Sequence, residues 1–340
     1  MTHLVTVYKD SGKRGIGNVG STCYVNTAVQ CLAHNLSFLH YILTHEQKGL
    51  TQELKAIYEI NWIRNHGVVP RKFIKVLRET FSGMIDVHQQ NDIQEFLALF
   101  VDKLNVAIGT PPVVQPLSPT HGDKTAFVRF QELAEHAWVR SHSHAYSALV
   151  DLLYGQCVNQ ITCAHCGDIS HVFDTFATLL ISFHESEDGG TPTTDSIGKM
   201  LSSYMKNEHI AERECDHCHT KCTGIRVHRF SKLPQVLMIS IKRFDSKMRK
   251  ITKTVMVPEE LDMSGACIEL NDQNTSSTQY KLMSIACHAG GMGYGHYYAI
   301  CRHPDERWYI YDDEQVSAME DYRQANSSHF YTLFYERMSN

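Results

Sequence analysis

Two Cys-x-x-Cys pairs constrain what this chain can fold into more than any other feature of the sequence. Cys163 and Cys166 form the first pair, Cys215 and Cys218 form the second, and 48 residues lie between the pairs. Each pair has the spacing of a metal-binding knuckle, and two knuckles make a tetrahedral four-thiolate site for zinc. Because four protein ligands leave no open coordination position, we expect the zinc to be structural and not catalytic.

Other interpretations of the cysteine pairs fit less well. A thioredoxin-like redox motif needs one such pair within a βαβ unit, a context that neither pair has. Iron could occupy the same cage of four sulfur atoms, but zinc suits it better. Four further side chains near the pairs could compete as ligands, and we expect them to be bystanders: His165, His217, His219 and Cys222.

The composition predicts a soluble globular protein in a reducing compartment. The 340 residues allow one large domain or two, and 32 basic against 37 acidic residues lack the basic excess of a nucleic-acid-binding protein. Residues 1–10 have no features of a secretory signal, and no run approaches the roughly 18 apolar residues that span a bilayer. We therefore expect a cytoplasmic or nuclear location, reduced cysteines, and neither nucleic acid nor membrane as a partner.

Hydrophobic patterning predicts an α+β protein with a helical first half, a sheet-rich second half and a cleft between them. Apolar residues have the three-and-four spacing of a helix face from Val25 to Leu36 and again from Ile93 to Leu104. Short β-like runs follow after about Gly155, at 172–183, 225–230, 236–244, 280–288 and 330–335. Stretches rich in proline or polar residues are typical of loops, at 109–123, 185–195 and 270–278.

The run from Gly15 to Gly20 has the glycine spacing of a dinucleotide-binding fingerprint. That fingerprint also needs a strand leading directly into the glycines and an acidic residue about 20 positions further on. The strand-like run from Leu4 to Tyr8 is separated from the glycines by a charged stretch, and no clear strand ending in an acid follows. An oxidoreductase is therefore only a minor alternative.

Cys23, at the junction of the glycine run with the following helix, is the candidate nucleophile. With Ser21 or Thr22 as the helix cap, the cysteine lies in the first helical turn, where the helix dipole and free N–H groups lower the pKa of a thiol. A buried structural cysteine is the common alternative, and we expect that role for Cys31 on the same helix. Asn18 could donate a hydrogen bond to a developing oxyanion, or it could simply be a turn residue.

A predicted β-hairpin near the end of the chain supplies a candidate base. Folding the strand-like runs 297–301 and 308–312 about a tight turn places His296 directly across from Asp312 or Asp313. A carboxylate there would fix the histidine tautomer that takes a proton from a thiol. A register slip of one residue exchanges the two acids, so the choice stays open. Nearby glycines favour a mobile, uncrowded approach to the histidine over a chance surface pair, at positions 290, 291, 293 and 295.

Together these segments resemble the ubiquitin-specific proteases, a family of papain-like cysteine peptidases. Residues 15–26 resemble the cysteine box of that family, and residues 295–299 with 308–313 resemble its histidine box. Residues 90–96 resemble a helix start between the boxes, and residues 233–244 resemble the strand that leads into the palm. The resemblance covers nearly the whole chain, and the combination of motifs is highly specific.

The family resemblance implies an architecture of thumb, fingers and palm within one catalytic domain at 15–337, after an N-terminal extension at 1–14. The helical thumb would span about 15–150, the zinc-pinned fingers about 155–230 and the β-rich palm about 231–337. The four cysteines would pin the tip of the fingers, which hold the folded body of ubiquitin.

The resemblance also implies roles for individual residues. Cys23, His296 and Asp312, with Asp313 as the alternative acid, would form a catalytic triad, and Asn18 would complete an oxyanion hole. Asp92 and Glu95 also suit a helix N-terminus, and as carboxylates they would bind the basic C-terminal tail of ubiquitin by charge-assisted hydrogen bonds. The residues implied in substrate binding are Asp92, Glu95, Gln90, Gly295 and Tyr297.

The function implied is hydrolysis of the bond between the C-terminal glycine of ubiquitin and a substrate lysine, by a monomer that binds ubiquitin or ubiquitinated proteins. A catalytically inactive, zinc-pinned ubiquitin-binding module is one alternative, but it would lack a triad residue. A hydrolase specific for a ubiquitin-like modifier is a closer alternative, which the sequence does not separate from the first.

Overall fold

The structure is a computed structural model that describes residues 2–117, 126–184, 193–268, 277–291 and 294–339. Parts of three predicted loops (118–123, 185–192 and 270–276) and Gly293 lie outside the described residues. The described residues contain nine α-helices and fourteen β-strands, which confirms the predicted α+β class. Among these residues no helix is both long and apolar enough to cross a membrane.

The helices occupy most of the first half of the chain, as predicted. They are α1 (Thr2–Tyr8), α2 (Cys23–Ala33), α3 (Leu36–Thr44), α4 (Gly49–Tyr58), α5 (Arg71–Thr80), α6 (Ile93–Ile108), α7 (Ala126–Ser141), α8 (Ala148–Leu153) and α9 (Ile197–Tyr204). The run from Leu4 to Tyr8 is helical and not a strand, because a short apolar run fits both periods and its packing decides. The predicted helix from Val25 to Leu36 is two helices, separated where Asn35 becomes extended and donates its side-chain N–H to the Cys31 carbonyl (2.8 Å).

The strands occupy most of the second half. They are β1 (Gly155–Cys163), β2 (Ile169–Phe176), β3 (Thr178–Ile181), β4 (Thr194–Ser196), β5 (Glu208–Glu214), β6 (Lys221–Lys232), β7 (Val236–Ile241), β8 (Thr254–Met256), β9 (Glu260–Asp262), β10 (Gln279–Gly291), β11 (Tyr294–Arg302), β12 (Trp308–Asp312), β13 (Gln315–Met319) and β14 (Phe330–Arg337). The predicted run 172–183 is divided between β2 and β3, which belong to different sheets.

Two sheets dominate this half of the described chain. The finger sheet is antiparallel in the order β2-β1-β6-β5. The large sheet runs in the order β13-β12-β11-β10-β14-β7-β3, with β9 alongside β10, and its β3–β7 pair is parallel. Helix α9 packs in a core on one face of the large sheet, while α2 and α6 pack in a second core on the other face.

Helix α2 lies at the centre of the second core. All eleven of its residues are buried and none is charged, so the helix is stabilised mainly by its packing. The hydroxyl of Ser284 on β10 donates to the Cys31 carbonyl (2.9 Å), and the Gln94 amide on α6 donates to the Ile241 carbonyl on β7 (3.0 Å). These bonds fix α2 and α6 against the large sheet and bring the start of α2 to the ends of β11 and β12.

The last strand also reaches back to the first quarter of the chain. Glu336 on β14 is fully buried, and its carboxylate oxygens accept hydrogen bonds from the backbone N–H groups of Leu36 (3.0 Å) and Ser37 (2.8 Å) in the first turn of α3. Burial raises the pKa of Glu336, although these hydrogen bonds oppose the shift. The carboxylate thus satisfies N–H groups that have no partner within a helix.

Candidate active site

Cys23 is the first residue of α2, and the glycine run before it packs against the turn after β12. The Ile16 N–H donates to the Asp313 carbonyl (2.9 Å), and a Cβ atom at Gly15 would lie 2.4 Å from the same oxygen. A side chain at position 15 would therefore clash with backbone. The glycines allow this close packing, and the helix α1 before them excludes the strand that a dinucleotide site requires.

Thr22 occupies the N-cap position, but its side chain makes no capping bond to α2. Its hydroxyl donates to the Asn18 side-chain oxygen (3.1 Å) and accepts from the Val19 N–H (3.2 Å). The predicted N-cap position, with Cys23 in the first helical turn, is confirmed, although the cap makes no side-chain hydrogen bond. Thr22 instead stabilises the loop and leaves the first N–H groups of α2 without a side-chain cap.

The environment of the Cys23 thiol differs from the expectation based on the helix dipole. Burial raises the pKa of Cys23, a backbone hydrogen bond from Tyr297 lowers it, and the negative charge of Asp313 raises it again. The net shift of the Cys23 pKa is upward. The backbone contact also places the sulfur beside Tyr297, the residue that follows His296.

His296 and Asp312 meet, although not by the predicted pairing. The His296 Nε2 atom lies 2.5 Å from an Asp312 carboxylate oxygen. The ladder between β11 and β12 pairs Ala299 with Tyr311 and Arg302 with Trp308, so Asp312 lies diagonally and not directly across from His296. The connecting turn contains Glu306 with a positive φ of 69°, and this turn shifts the register from the predicted one.

Asp313 faces a different partner set. It has a positive φ of 49° in the turn after β12, a conformation that aspartate tolerates, and its carboxylate accepts hydrogen bonds from the side-chain amides of Asn18 (2.8 Å) and Asn26 (2.7 Å). The Asn18 backbone N–H donates to Glu314 (3.1 Å). The sequence pattern predicted no role for Asn26 or Glu314, although Asn26 lies one helical turn after Cys23, a spacing that places the two side chains on one helix face.

Gly295 is closely packed, contrary to the expectation of an uncrowded hairpin end, although the His296 side chain is 43% exposed. A Cβ atom at Gly295 would lie 2.2 Å from the His288 Nε2 atom. The Gln90 side chain donates to the Gly295 carbonyl (2.7 Å) and accepts from the Gly295 N–H (3.1 Å). Glycine is therefore required by close packing, and two of the predicted substrate-binding residues contact each other.

Three further predicted substrate-binding residues have distinct environments. The Asp92 carboxylate caps α6 by accepting from the Gln94 N–H (2.7 Å) and accepts from the Tyr331 hydroxyl (2.6 Å). Glu95 is exposed in the first turn of α6. Tyr297 is buried in the core beside α2. Of the two carboxylates, that of Glu95 is the more available to a cationic ligand.

The two cysteine pairs meet at one end of the finger sheet. The four sulfur atoms all lie within 4.8 Å of one another. Cys163 is the last residue of β1, and Cys215 follows β5 directly. Each pair forms the same turn: the Gly167 N–H donates to the Cys163 carbonyl (3.0 Å), and the His219 N–H donates to the Cys215 carbonyl (2.8 Å).

The spacing of the sulfur atoms suits a tetrahedral metal ion. A zinc–sulfur bond of about 2.3 Å implies sulfur atoms about 3.8 Å apart, and the Cys166–Cys215 and Cys163–Cys218 distances are 3.8 and 4.0 Å. Cys222 on β6 lies 3.2 Å from Cys163, closer than two ligands of one zinc ion would be. The geometry fits zinc on the four predicted cysteines, with Cys222 as a neighbouring thiol.

Comparison with known proteins agrees with this geometry. The family model described as ubiquitin carboxyl-terminal hydrolase matches residues 14–335. The chain belongs to the ubiquitin carboxyl-terminal hydrolase family. The resemblance inferred from the cysteine and histidine boxes is thereby confirmed. The similar curated proteins are likewise ubiquitin carboxyl-terminal hydrolases.

Among the similar curated proteins are two from animals. Ubiquitin carboxyl-terminal hydrolase Usp2 of Drosophila melanogaster is 28% identical over 347 residues, covering 97% of this chain and 35% of that protein. Ubiquitin carboxyl-terminal hydrolase 21 of Homo sapiens is 27% identical over 368 residues, covering 98% of this chain and 63% of that protein. The chain thus spans between about one third and two thirds of the length of these relatives.

A solved structure supports the fold. A chain from the SAGA DUB module Ubp8/Sgf11/Sus1/Sgf73 bound to monoubiquitin matches with a TM-score of 0.73 at 19% sequence identity, covering 98% of this chain and 70% of that chain. The arrangement of helical half, large sheet and finger sheet is therefore that of a known deubiquitinase fold.

Proposed function

We propose that this chain is a thiol isopeptidase that hydrolyses the bond between the C-terminal glycine of ubiquitin and a substrate lysine. The observation that carries the proposal is the 2.5 Å contact between His296 and Asp312, next to the Tyr297 N–H that contacts the buried Cys23 sulfur. Family membership supports the reaction class, and the ubiquitin-bound structural relative supports ubiquitin as the ligand.

In the proposed mechanism, His296 activates Cys23. Because its Nε2 atom is held by Asp312, the Nδ1 atom is left as the base that takes the thiol proton. A base is needed here, since burial raises the pKa of the Cys23 thiol. The thiolate then attacks the carbonyl carbon of the ubiquitin glycine, His296 protonates the departing lysine amine, and water hydrolyses the thioester.

Asn18 and Asp313 have a proposed role in the oxyanion hole. One N–H of the Asn18 amide is used by Asp313, and an amide group has a second N–H that can donate to the oxyanion, together with the Cys23 backbone N–H. Asp313 also holds Asn26 on α2. We therefore assign orientation of the base to Asp312 and orientation of Asn18 to Asp313.

We also propose a structural zinc ion on Cys163, Cys166, Cys215 and Cys218, where zinc would join β1 and β5 at the end of the finger sheet. Substrate binding by Gln90, Asp92, Glu95, Gly295 and Tyr297 is part of the proposal as well. The division into thumb, fingers and palm, the monomeric state, the cytoplasmic or nuclear location and the absence of a nucleic-acid partner stay predictions.

Replacement of the nucleophile tests the proposed reaction. The Cys23→Ala variant should give no covalent adduct with ubiquitin that carries a C-terminal electrophile, because alanine has no nucleophilic sulfur; intact mass spectrometry measures the adduct. Ubiquitin binding by this variant, measured by calorimetry, should persist. Cys31→Ala, two turns further along α2, is the matched control and should label as the unmodified protein does.

Undiminished labelling of Cys23→Ala would remove Cys23 from its proposed role. Labelling of the unmodified protein by a probe built on a ubiquitin-like modifier, with none by the ubiquitin probe, would keep the mechanism and change the substrate. Ubiquitin binding with no labelling by either probe would favour the inactive binding module.

A further inference from the structure

Strand β10 pairs with β11, the strand that carries His296, and on its other side with β14. The pairing with β14 ends before β10 reaches the hairpin end. On one side, β10 pairs with β11 as far as Gly291 with Tyr294. On the other side, β14 pairs with β10 only as far as Cys287 with Phe330. Beyond Cys287 the outer edge of β10 therefore has backbone carbonyls without a strand partner, and such groups need another donor.

Lys250 supplies that donor. Its Nζ atom donates to the His288 carbonyl (2.6 Å) and to the Gly290 carbonyl (3.1 Å). Successive carbonyls on one side of a strand are two residues apart, so one ammonium group satisfies both positions. Lys250 thus takes the place of the missing strand over this short length.

The two carbonyls flank the residue that pairs with His296. Ala289 is the cross-strand partner of His296 on β11, and the bonds from Lys250 hold the residues immediately before and after Ala289. Lys250 therefore helps to fix the backbone of His296 through its cross-strand partner Ala289.

The hairpin has few means of anchoring itself, because its end is rich in glycine. Gly290 has a positive φ of 98°, and Gly295 on the opposite strand carries no side chain. Side chains from outside the hairpin hold both of its strands. The Gln90 side chain binds the backbone of Gly295 on β11, and Lys250 binds the backbone of β10. Glycine leaves the backbone conformationally free. The hydrogen bonds from Gln90 and Lys250 restrict that freedom at the hairpin end.

The burial of Lys250 indicates that these hydrogen bonds matter. The side chain is half-buried, and within the described part of the chain it has no carboxylate partner in an ion pair. Burial and the nearby charge of Arg243 lower the pKa of Lys250 to about 8. Desolvating an ammonium group costs free energy unless hydrogen bonds compensate, and the two carbonyls are the compensation.

We propose that Lys250 is a positioning residue for catalysis, which holds the β10–β11 hairpin so that His296 keeps the geometry needed to exchange a proton with Cys23. This inference rests on the proposed function. It assigns Lys250 no contact with the substrate and none with the reacting atoms.

Removal of the ammonium group with retention of the side-chain stem tests the proposal. Lys250→Met should lower kcat for ubiquitin carrying a C-terminal fluorogenic amide about 10- to 100-fold, since small displacements of a catalytic group have effects of this order. KM should be unchanged, because ubiquitin contacts are not removed. Lys250→Arg should restore most of kcat, since a guanidinium can donate to both carbonyls.

Two controls separate positioning from general damage. Lys247→Met changes an exposed lysine in the same loop and should leave kcat unchanged. Lys250→Met should stay folded at the assay temperature, with a melting temperature lowered by only a few degrees, because water can reach the exposed Gly290 carbonyl. The inference is overturned if kcat is unchanged, if KM rises in proportion to the loss, or if Lys250→Arg does not restore kcat. Absence of any turnover by the unmodified protein would instead overturn the proposed function.

Discussion

Two regions join distant parts of the chain in different ways. The catalytic junction brings Cys23 and its preceding loop to His296 and Asp312, and the four-cysteine tip brings Cys163 and Cys166 to Cys215 and Cys218. At the tip, each half is a local turn, and the same backbone hydrogen bond closes both turns. At the junction, Asn18 and Asn26 contact Asp313, and Gln90 contacts Gly295, and these partners are 205 to 295 positions apart in the sequence. A local motif therefore defines the tip almost completely, whereas the junction depends on how the whole domain folds.

The largest expected effect tests the tip. Cys215→Ser should abolish stoichiometric zinc binding and lower the melting temperature by several degrees, because a four-ligand structural site contributes directly to folding. Metal content by atomic emission and thermal melting measure the two changes. If the tip is as self-contained as its local turns suggest, labelling by the ubiquitin probe should decline less than zinc content does.

Cys222→Ser is the matched control for this experiment. Cys222 lies 3.2 Å from Cys163 but is not among the four sulfur atoms of the cluster, so this variant should retain its zinc. Equal zinc loss in the two variants would contradict the assigned ligand set.

The second prediction tests whether Asp312 and Asp313 have separate roles at the junction. Asp312→Asn should lower kcat about 10²- to 10⁴-fold with little change in stability, because it removes the charge that stabilises the histidinium ion. Asp313→Asn should lower kcat less, through misplacement of Asn18, but should also lose about 1–3 kcal/mol of stability, because the new amide cannot accept from both Asn18 and Asn26. Fluorogenic turnover and denaturant unfolding of both variants measure the contrast.

A result in which both variants lose the same activity and the same stability would show that the two acids act as one unit. The separate hydrogen-bond sets of Asp312 and Asp313 would then have no separate functional meaning.

The sequence predicted the tip more completely than the junction, for physical reasons. The metal-knuckle spacing named all four cysteines, because chelation requires donors within one turn. The turn between β11 and β12 includes Glu306 in a left-handed conformation, which periodicity does not reveal, so the register was predicted wrongly while the His296–Asp312 contact was still found. Helix periodicity located α6 correctly, but it joined α2 to α3 because the break at Asn35 interrupts no apolar position.

Other features depended on packing that a pattern does not contain. The burial of Cys23 raises the pKa that its helical position was expected to lower. The closeness of Gly295 to His288 likewise depends on pairing between strands. Both errors arose where neighbours distant in sequence determine the environment.

The smallest predicted effect concerns the pH dependence of Cys23. Because the pKa of this thiol is raised, its alkylation by iodoacetamide should have a midpoint above the roughly pH 8.5 of a free thiol. Asp313→Asn should move the midpoint downward, since it removes a negative charge that disfavours the thiolate. Peptide mass spectrometry across a pH series measures both midpoints.

A plateau of alkylation already reached at pH 7 would contradict this prediction. It would mean that the helix dipole outweighs burial at Cys23, as the sequence pattern alone suggested.

The contact of Glu336 with Leu36 and Ser37 has a consequence for synthesis on the ribosome. The chain emerges from its N-terminus, so α3 is translated 300 residues before the carboxylate that satisfies its first N–H groups. Nascent domains fold as units once their parts have emerged. We therefore expect a nascent chain that stops short of Glu336 to leave the first N–H groups of α3 without this acceptor and to show no labelling by the ubiquitin probe.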